Sequence, residues 1–444
     1  MGRLMDAHAK GSASELAQGL VDARARTLAL ISDLADEQLM GPRLPIANPL
    51  LWEIGHVAWF QEKWVLRHRG KAGPIREDAD ALYDSIAIAH DTRWDLPLPS
   101  REETLAYMQK VMNRIIERLG SIDLDREESY FHYLALFHED MHDEAFTYTR
   151  QILGYPRPRL TPFPDGDLTG QTGGGPLAGD AEIPGGIFLL GATPDLLFVF
   201  DNEKWAHPVT LQPFRIAHAA VTNGEFVAFV DDKGYLRQEF WSEEGWRWRQ
   251  NARAEHPVYW HRDAGGRWSR RRYDEIVPLE EHHPIIHVNW YEAEAYCRWA
   301  GRRLPTEAEW EAAASAEPTP DGWGLSGHKR SFPWGDEPLS PSRANLDGHA
   351  GGCIDVGALP DGDSPFGCRQ MIGNVWEWTS TEFGPYPGFV ADPYKEYSQP
   401  WFGTHKVLRG GCWVTRSRMI RNTWRNYYTP DRRDVMAGFR TCLR

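Results

Sequence analysis

ESYFHYLALFHEDMHDEAFTYTRQIL, residues 128–153, decides the reading of the first third of the chain. It runs without Pro or Gly until Gly154, and Leu134, His138, His142 and Ala145 share one stripe at helical spacing. The pattern predicts a helix from about Glu127 to Leu153 with one face turned inward. Three more helices are expected upstream. Leu16, Leu20, Ala23, Thr27, Ile31 and Leu34 keep a 3.6-residue repeat, and a second segment runs from about Pro49 to Arg69. A third starts at Ser100, where Ser100 and Glu103 form a capping box ahead of Leu105, Met108, Met112, Ile115 and Leu119. Four helices, each with an apolar face, imply an up-down bundle, and bundles place metal and ligand sites in their interior.

Downstream the grammar changes. Residues 154–186 are crowded with Pro, Gly and Asp and carry no periodicity to bury. Of the 20 Trp, 4 precede residue 160 and 16 follow it. Elements there are short and turn-rich, with helices expected at Trp290–Ala300 and Thr306–Ala314. The fold class is thus multidomain, α followed by α+β: a bundle at 1–155, a linker at 156–182 and an irregular domain at 183–444. The basic cluster Arg262–Arg272 reads as a hairpin-like stretch at a solvated strand edge.

Composition narrows the function. With 49 Lys plus Arg against 63 Asp plus Glu, the chain of 444 residues carries a formal charge of −14. That excludes non-specific nucleic-acid binding, which needs a cationic surplus to displace counterions. The five cysteines are odd in number, widely spaced and without a CxxC pair, which argues against a disulfide framework or a Cys-rich zinc site. The N-terminal MGRLMDAHAKG lacks the apolar core of a signal peptide, and Asp6 stands where a myristoylation pattern wants Ser or Thr. No apolar run is long enough to span a membrane. A cytoplasmic protein is expected.

His138 and His142, four apart, put two imidazoles one turn apart on the inward face of the last helix. Alone, such a pair reads equally as hydrogen-bonded core histidines. In NPLLWEIGHVAWFQEKW, however, Trp52, His56, Trp59 and Phe60 form another inward stripe, and Gly55 permits close backbone approach. Three interior histidines on two helices, with coordination positions left over, match a catalytic metal. Imidazole ligands suit iron, zinc, copper or nickel. Glu144 is either an outer carboxylate orienting a ligand or an ordinary helix carboxylate. Tyr386, Tyr394 and Tyr397, and the stretch Arg425, Asn426, Tyr427 and Tyr428, lie in loops where tyrosines donate protons, line pockets or simply pack.

These stretches resemble a known family. GHVAWF (Gly55–Phe60) and HEDMHDE (His138–Glu144) are similar to a DinB-type four-helix bundle. IPGGIFLLG (Ile183–Gly191), VTNGEFVAFV (Val221–Val230), HPIIHVNWYEAEAYCRWAGRRLPTEAEWEAAA (His283–Ala314), FPWGDE (Phe332–Glu337), GNVWEWTS (Gly373–Ser380), LRGGCW (Leu408–Trp413) and GFR (Gly438–Arg440) are similar to the formylglycine-generating-enzyme domain, a C-type-lectin-like fold. The union covers nearly the whole chain and resembles the ergothioneine-pathway sulfoxide synthases and the selenoneine synthases. The resemblance implies a non-haem Fe(II) enzyme, with O2 as co-substrate, that joins sulfur or selenium to imidazole C2 of hercynine (Nα-trimethylhistidine).

By motif, the resemblance makes His56, His138 and His142 the iron ligands. It makes Tyr394 or Tyr397 the proton donor, and places Arg425 and Asn426–Tyr428 in the substrate loop. Arg93, in HDTRWDLPLP, matches an arginine that grips a substrate carboxylate through paired charge-assisted bonds. The chain departs from the family pattern HxxQHxE at Met141, where the family's Gln reaches the hercynine pocket. It also departs at Tyr428, where users of γ-glutamylcysteine carry Asp. The departures favour a selenosugar donor, with cysteine next and γ-glutamylcysteine last. Partners are therefore small molecules, with neither nucleic acid nor membrane. Some lectin-like domains hold a structural Ca²⁺, for which loops near Asn345 and Gly373 are the places to look. Among rivals, a formylglycine-type oxidase needs a Cys pair in the last loop, and no Cys falls between Trp413 and Phe439. A zinc-dependent DinB thiol transferase fits the three histidines, whereas a non-catalytic lectin-like module does not explain them.

Overall fold

The computed structural model describes residues 12–160 and 173–444. The N-terminal stretch weighed for targeting signals and the middle of the expected linker lie outside the described residues. The chain divides into a helical unit and a unit of short strands and loops.

The helical unit contains α1 (Ala13–Ile31), α2 (Asp36–Met40), α3 (Leu50–Gln61), α4 (Ala79–Tyr83), α5 (Arg101–Leu119) and α6 (Arg126–Leu153). Capping sets the long helices as the sequence predicts. Ser12 with Glu15 and Ser100 with Glu103 satisfy the first orphan amides of α1 and α5. Gly154, with φ 65° and ψ 32°, closes α6 in the left-handed conformation. α6 runs parallel to α1, with Arg24 on Glu139 and Arg150 on Asp33, so the expected up-down order of the helices is not the one observed. Past Gln61, α3 widens into a π-helical stretch, Glu62–Arg69, so the expected second helix is present as two segments in register. α6 packs on α1 and α3, and α3 packs on α5. The core is filled by side chains of the predicted stripes, among them Leu20, Trp52, Phe60, Met108, Ile115 and Leu134, and α3 is buried on its other faces too, with Ile54 and Val57. Arg150 is fully buried near the end of α6, where it pairs with Asp33 and donates to the carbonyls of Leu30 and Pro156.

Two expected boundaries shift. Asp195–Phe198 belongs to the helical unit. The Phe198 ring lies 5.2 Å from Tyr130 and 5.1 Å from Phe137, so a short apolar segment completes an aromatic cluster that α6 otherwise leaves exposed. The strand Asp180–Ile183 starts inside the stretch expected to be linker. Before it, the Gly174 and Gly175 amides both donate to the Asp355 carboxylate at 3.0 Å.

In the second unit, Asp180–Ile183 pairs antiparallel with Phe214–Ala217, Cys442 lies on the other side of that strand, and Arg302–Arg303 closes the sheet. A second sheet centres on Trp376–Glu382, flanked by antiparallel Lys406–Arg409 and parallel Ala437–Gly438. Asn426–Tyr428 pairs with the outer side of Lys406–Arg409. Helices Trp290–Trp299 and Glu307–Ser315 begin at capping boxes, Asn289 with Glu292 and Thr306 with Glu309. The abundant tryptophans form the core: Trp310, Trp376 and Trp378 are fully buried, and the Trp310 indole donates to Glu377 at 2.7 Å. Buried arginines are paired, as charges in low dielectric must be. Arg440 pairs with Glu377, and Arg409 with Glu307 and Glu311.

The basic cluster is the expected hairpin, with Arg262 exposed on its outer strand, but its second half is not an edge. Trp268–Arg272 is the middle strand between Trp260–Arg262 and Glu275–Pro278, and Arg270 is held by Glu280 at 2.7 and 2.9 Å. Among the described residues no helix is long and apolar enough to cross a membrane.

Candidate metal centre

α3 and α6 bring His56, His138 and His142 together, with one ligand atom from each lying within 4.8 Å of the others. The one-turn spacing on α6 sets the Nε2 atoms of His138 and His142 3.3 Å apart. Three nitrogens at about 2.1 Å from one ion sit about 3–3.4 Å from each other. The α6 pair already has that spacing.

The hydrogen bonds of the rings fix which nitrogens are available. His56 Nδ1 lies 2.8 Å from the Tyr83 carbonyl, and His142 Nδ1 lies 2.6 Å from Glu53 Oε1. Both partners only accept, so each ring donates from Nδ1 and, when neutral, carries its lone pair on Nε2. Burial pushes His56 and His138 well below the ordinary imidazole range, and the neighbouring His142 lowers both further. With His142 donating from Nδ1, the 3.3 Å contact between the two Nε2 atoms is a hydrogen bond given by His138, and a metal ion would take the place of that proton, which is the chemistry of a metal-binding set.

Packing holds the rings. Trp52 and Trp59 stack on His56 at 4.8 and 5.5 Å, and Phe60 lies flat on His138 at 3.5 Å and 3°. Gly55 lets Tyr83 reach the helix: a Cβ there would stand 2.3 Å from the Tyr83 ring. The close approach expected at Gly55 is what delivers the Tyr83 carbonyl to His56.

Other expected residues fare differently. Arg93 is buried, with its guanidinium 4.1 Å from the Trp52 ring that stacks on His56. Its terminal nitrogens are engaged by Asn48 Oδ1 and the carbonyls of Ser85 and Ile88, which leaves Nε as the donor without a partner among the described residues. A two-pronged grip on a carboxylate therefore requires those bonds to open. Met141 is half-buried and, three residues after His138, borders the same helix face. Glu144 is buried two residues beyond His142, a spacing that turns it away from that ring. The carboxylate that orients His142 is instead Glu53. The sequence signal for it was a lone acid inside the apolar run LLWEIGHVAWF, three residues before His56.

In the second unit, Tyr394 and Tyr397 are half-buried neighbours with ring centroids 6.3 Å apart. Tyr397 stacks on Phe200 at 4.3 Å, and burial raises its pKa, so it holds its proton at neutral pH. Tyr427 stacks on Phe383 at 3.9 Å, and its hydroxyl donates to the Tyr397 carbonyl, so this ring braces the tyrosine loop. Asn426 and Tyr428 are half-buried in the strand paired with Lys406–Arg409, with Arg432 over the Tyr428 ring at 5.0 Å. Arg425 corrects the expectation of a substrate contact. It is fully buried, paired with Glu307 at 2.7 Å, and donates to the carbonyls of Asn202 and Gly384. All three guanidinium nitrogens are engaged inside the core.

Comparison with known proteins places these features. Residues 19–152 match the DinB superfamily, and residues 170–444 match the sulfatase-modifying factor enzyme 1-like domain. The hercynine oxygenase of Mycobacterium tuberculosis is 37% identical, over 97% of this chain and 98% of that protein. The chain belongs to the hercynine oxygenase family. Another member, from Mycolicibacterium thermoresistibile, is 37% identical over 96% of this chain and 94% of its own. The formylglycine-generating enzyme of Streptomyces coelicolor is 33% identical but covers 59% of this chain, so the bundle with its histidines sets the hercynine oxygenase family apart from it. The expected union of a DinB bundle with a formylglycine-generating-enzyme-like domain is present.

Proposed function

We propose that this protein is a non-haem iron(II) enzyme that uses O2 to couple a selenium donor, a selenosugar, to imidazole C2 of hercynine. The observation that carries the reading is the set of three interior imidazoles, in a chain similar along nearly its whole length to proteins named hercynine oxygenase. His56, His138 and His142 would hold the iron, and three protein ligands would leave coordination positions for substrates. Bound there, iron(II) supplies O2 chemistry and lowers the pKa of a coordinated selenol or thiol.

The protein's own residues do the rest. Glu53 and the Tyr83 carbonyl fix the two rings they touch, so the ligand set is oriented before substrate arrives. Arg93 brings a positive charge to the Trp52 side of the site, suited to a substrate carboxylate. Tyr397, kept protonated by burial, or its neighbour Tyr394, is the proton donor. Asn426 and Tyr428 line the substrate loop, and Met141 borders the ligand face at the position where glutamine is the family residue. Tyr428 disfavours γ-glutamylcysteine, and Met141 with the acidic residues around it favours selenium over the thiol of cysteine.

The test is a competition. Protein loaded anaerobically with Fe(II) is given hercynine with equal cysteine and selenosugar, exposed to air, and the products are weighed by mass spectrometry. A selenium adduct in excess is expected. A cysteine sulfoxide adduct in excess would make the enzyme a sulfoxide synthase. Absence of both from iron-loaded protein would refute hercynine as substrate.

A further inference from the structure

The three histidines are not equivalent, and the difference lies one hydrogen bond beyond them. His56 donates from Nδ1 to a neutral backbone carbonyl at 2.8 Å, whereas His142 donates to the Glu53 carboxylate at 2.6 Å. Glu53 is 2% exposed and sits on α3, one turn before His56. A carboxylate on the far nitrogen pulls the imidazole toward imidazolate and strengthens its donation to a metal. Of the neighbouring acids on α6, Glu139 pairs with Arg24 at 2.7 Å and accepts from Gln61, and burial pushes the Asp143 carboxyl, 2.7 Å from the Thr27 hydroxyl, well above the usual range. Three neutral imidazoles alone would leave a buried dication with no anion beside it, a costly arrangement at low dielectric.

We infer that Glu53 is the charge-compensating residue of the metal centre, acting through His142, so that three histidines plus one relayed carboxylate behave as two neutral ligands and one anionic one. The inference rests on the three-histidine reading of the metal site. Its effect is on the metal itself: tighter binding of a divalent ion, and a lower reduction potential through stabilisation of the more highly charged state. Glu53 is a positioning residue and touches no substrate.

The experiment uses the full chain and Co(II) alone as probe, with affinity read from the ligand-field absorption band in competition with a chelator. Glu53→Gln keeps an oxygen to accept from His142 and removes only the charge. Its Co(II) affinity is expected to fall about 10- to 100-fold, with the melting curve of the metal-free protein little changed. Glu53→Asp, which keeps the charge, is expected to bind within about tenfold of the original. In the iron-loaded protein, Glu53→Gln is expected to shift the potential upward. Co(II) binding by Glu53→Gln equal to that of the unaltered chain would overturn the inference. So would equal losses in the two variants, because geometry rather than charge would then be responsible. An unaltered chain that takes up no Co(II) would overturn the three-histidine reading, a different and distinguishable failure.

Discussion

Replacing Gly55 by alanine tests how the helix backbone, rather than a ligand, controls the centre. The new Cβ would stand 2.3, 2.4 and 2.7 Å from three atoms of the Tyr83 side chain, which is fully buried. Ordinary carbon–carbon contact begins near 3.5 Å, so the ring must retreat by about 1.2 Å. Alanine improves helix propensity by about 1 kcal/mol, while overpacking a filled core costs about 1–3 kcal/mol. The balance is a net loss of about 0–2 kcal/mol, or up to about 8 °C for a unit of this size. The functional loss should be larger than the stability loss. The Tyr83 carbonyl that holds His56 Nδ1 at 2.8 Å moves with the ring, and loss of such an outer partner weakens metal affinity about 10- to 100-fold. Calorimetry of the metal-free protein and Co(II) titration of the same sample measure both effects. A variant that melts higher and binds Co(II) unchanged would refute the packing argument, since propensity alone would then account for it.

The remaining predictions concern single groups. His56→Ala should abolish metal uptake and turnover while leaving the helical content seen by circular dichroism intact; full activity would remove His56 from the ligand set. Glu307→Gln withdraws the carboxylate shared by Arg409 and Arg425, each 2.7 Å away, and should cost about 3–5 kcal/mol in denaturant unfolding. Asp201 lies buried against Ser398, and burial raises its pKa from 3.8 to about 6. A carboxyl raised on folding adds stability fully below the unfolded pKa and loses it as pH rises through the folded one. The protein should therefore lose about 2 kcal/mol between pH 4 and 6 from this group, of about 3 kcal/mol in all. Asp201→Asn should flatten that slope in urea titrations run across the range.

What the sequence made legible was local. The Ser100–Glu103 box, the stop at Gly154 and the inward stripes of α3 and α6 are relations within a few residues, and the structure has all of them. The triad was legible for the same reason, because each histidine lies on a stripe whose face is set by its own helix. Partners across the fold were not. Glu53 meets His142 across 89 positions and Arg425 meets Glu307 across 118, and no periodicity encodes such pairings. Arg425 thus looked available beside two tyrosines when its charge was already committed. The segment around Phe198 was misplaced on the same ground, since four residues carry too little pattern to show which core they fill.

The sheet that joins Asp180–Ile183 to Phe214–Ala217 and then to Cys442 has a consequence for how the protein is made. The bundle can close once α6, which packs on α1 and α3, has left the ribosome. The second unit cannot close its first sheet until Cys442 has followed Phe214–Ala217 out of the ribosome. At roughly 5–20 residues per second, the early strands wait tens of seconds with an unpaired edge. Deleting the last three residues removes Cys442 and its pairing with Ile216 and Arg303. Such a protein should reach the cell as a folded bundle tethered to an aggregating remainder. Synthesis at lower temperature or with added chaperone should therefore raise the soluble yield of the full chain more than that of the isolated bundle.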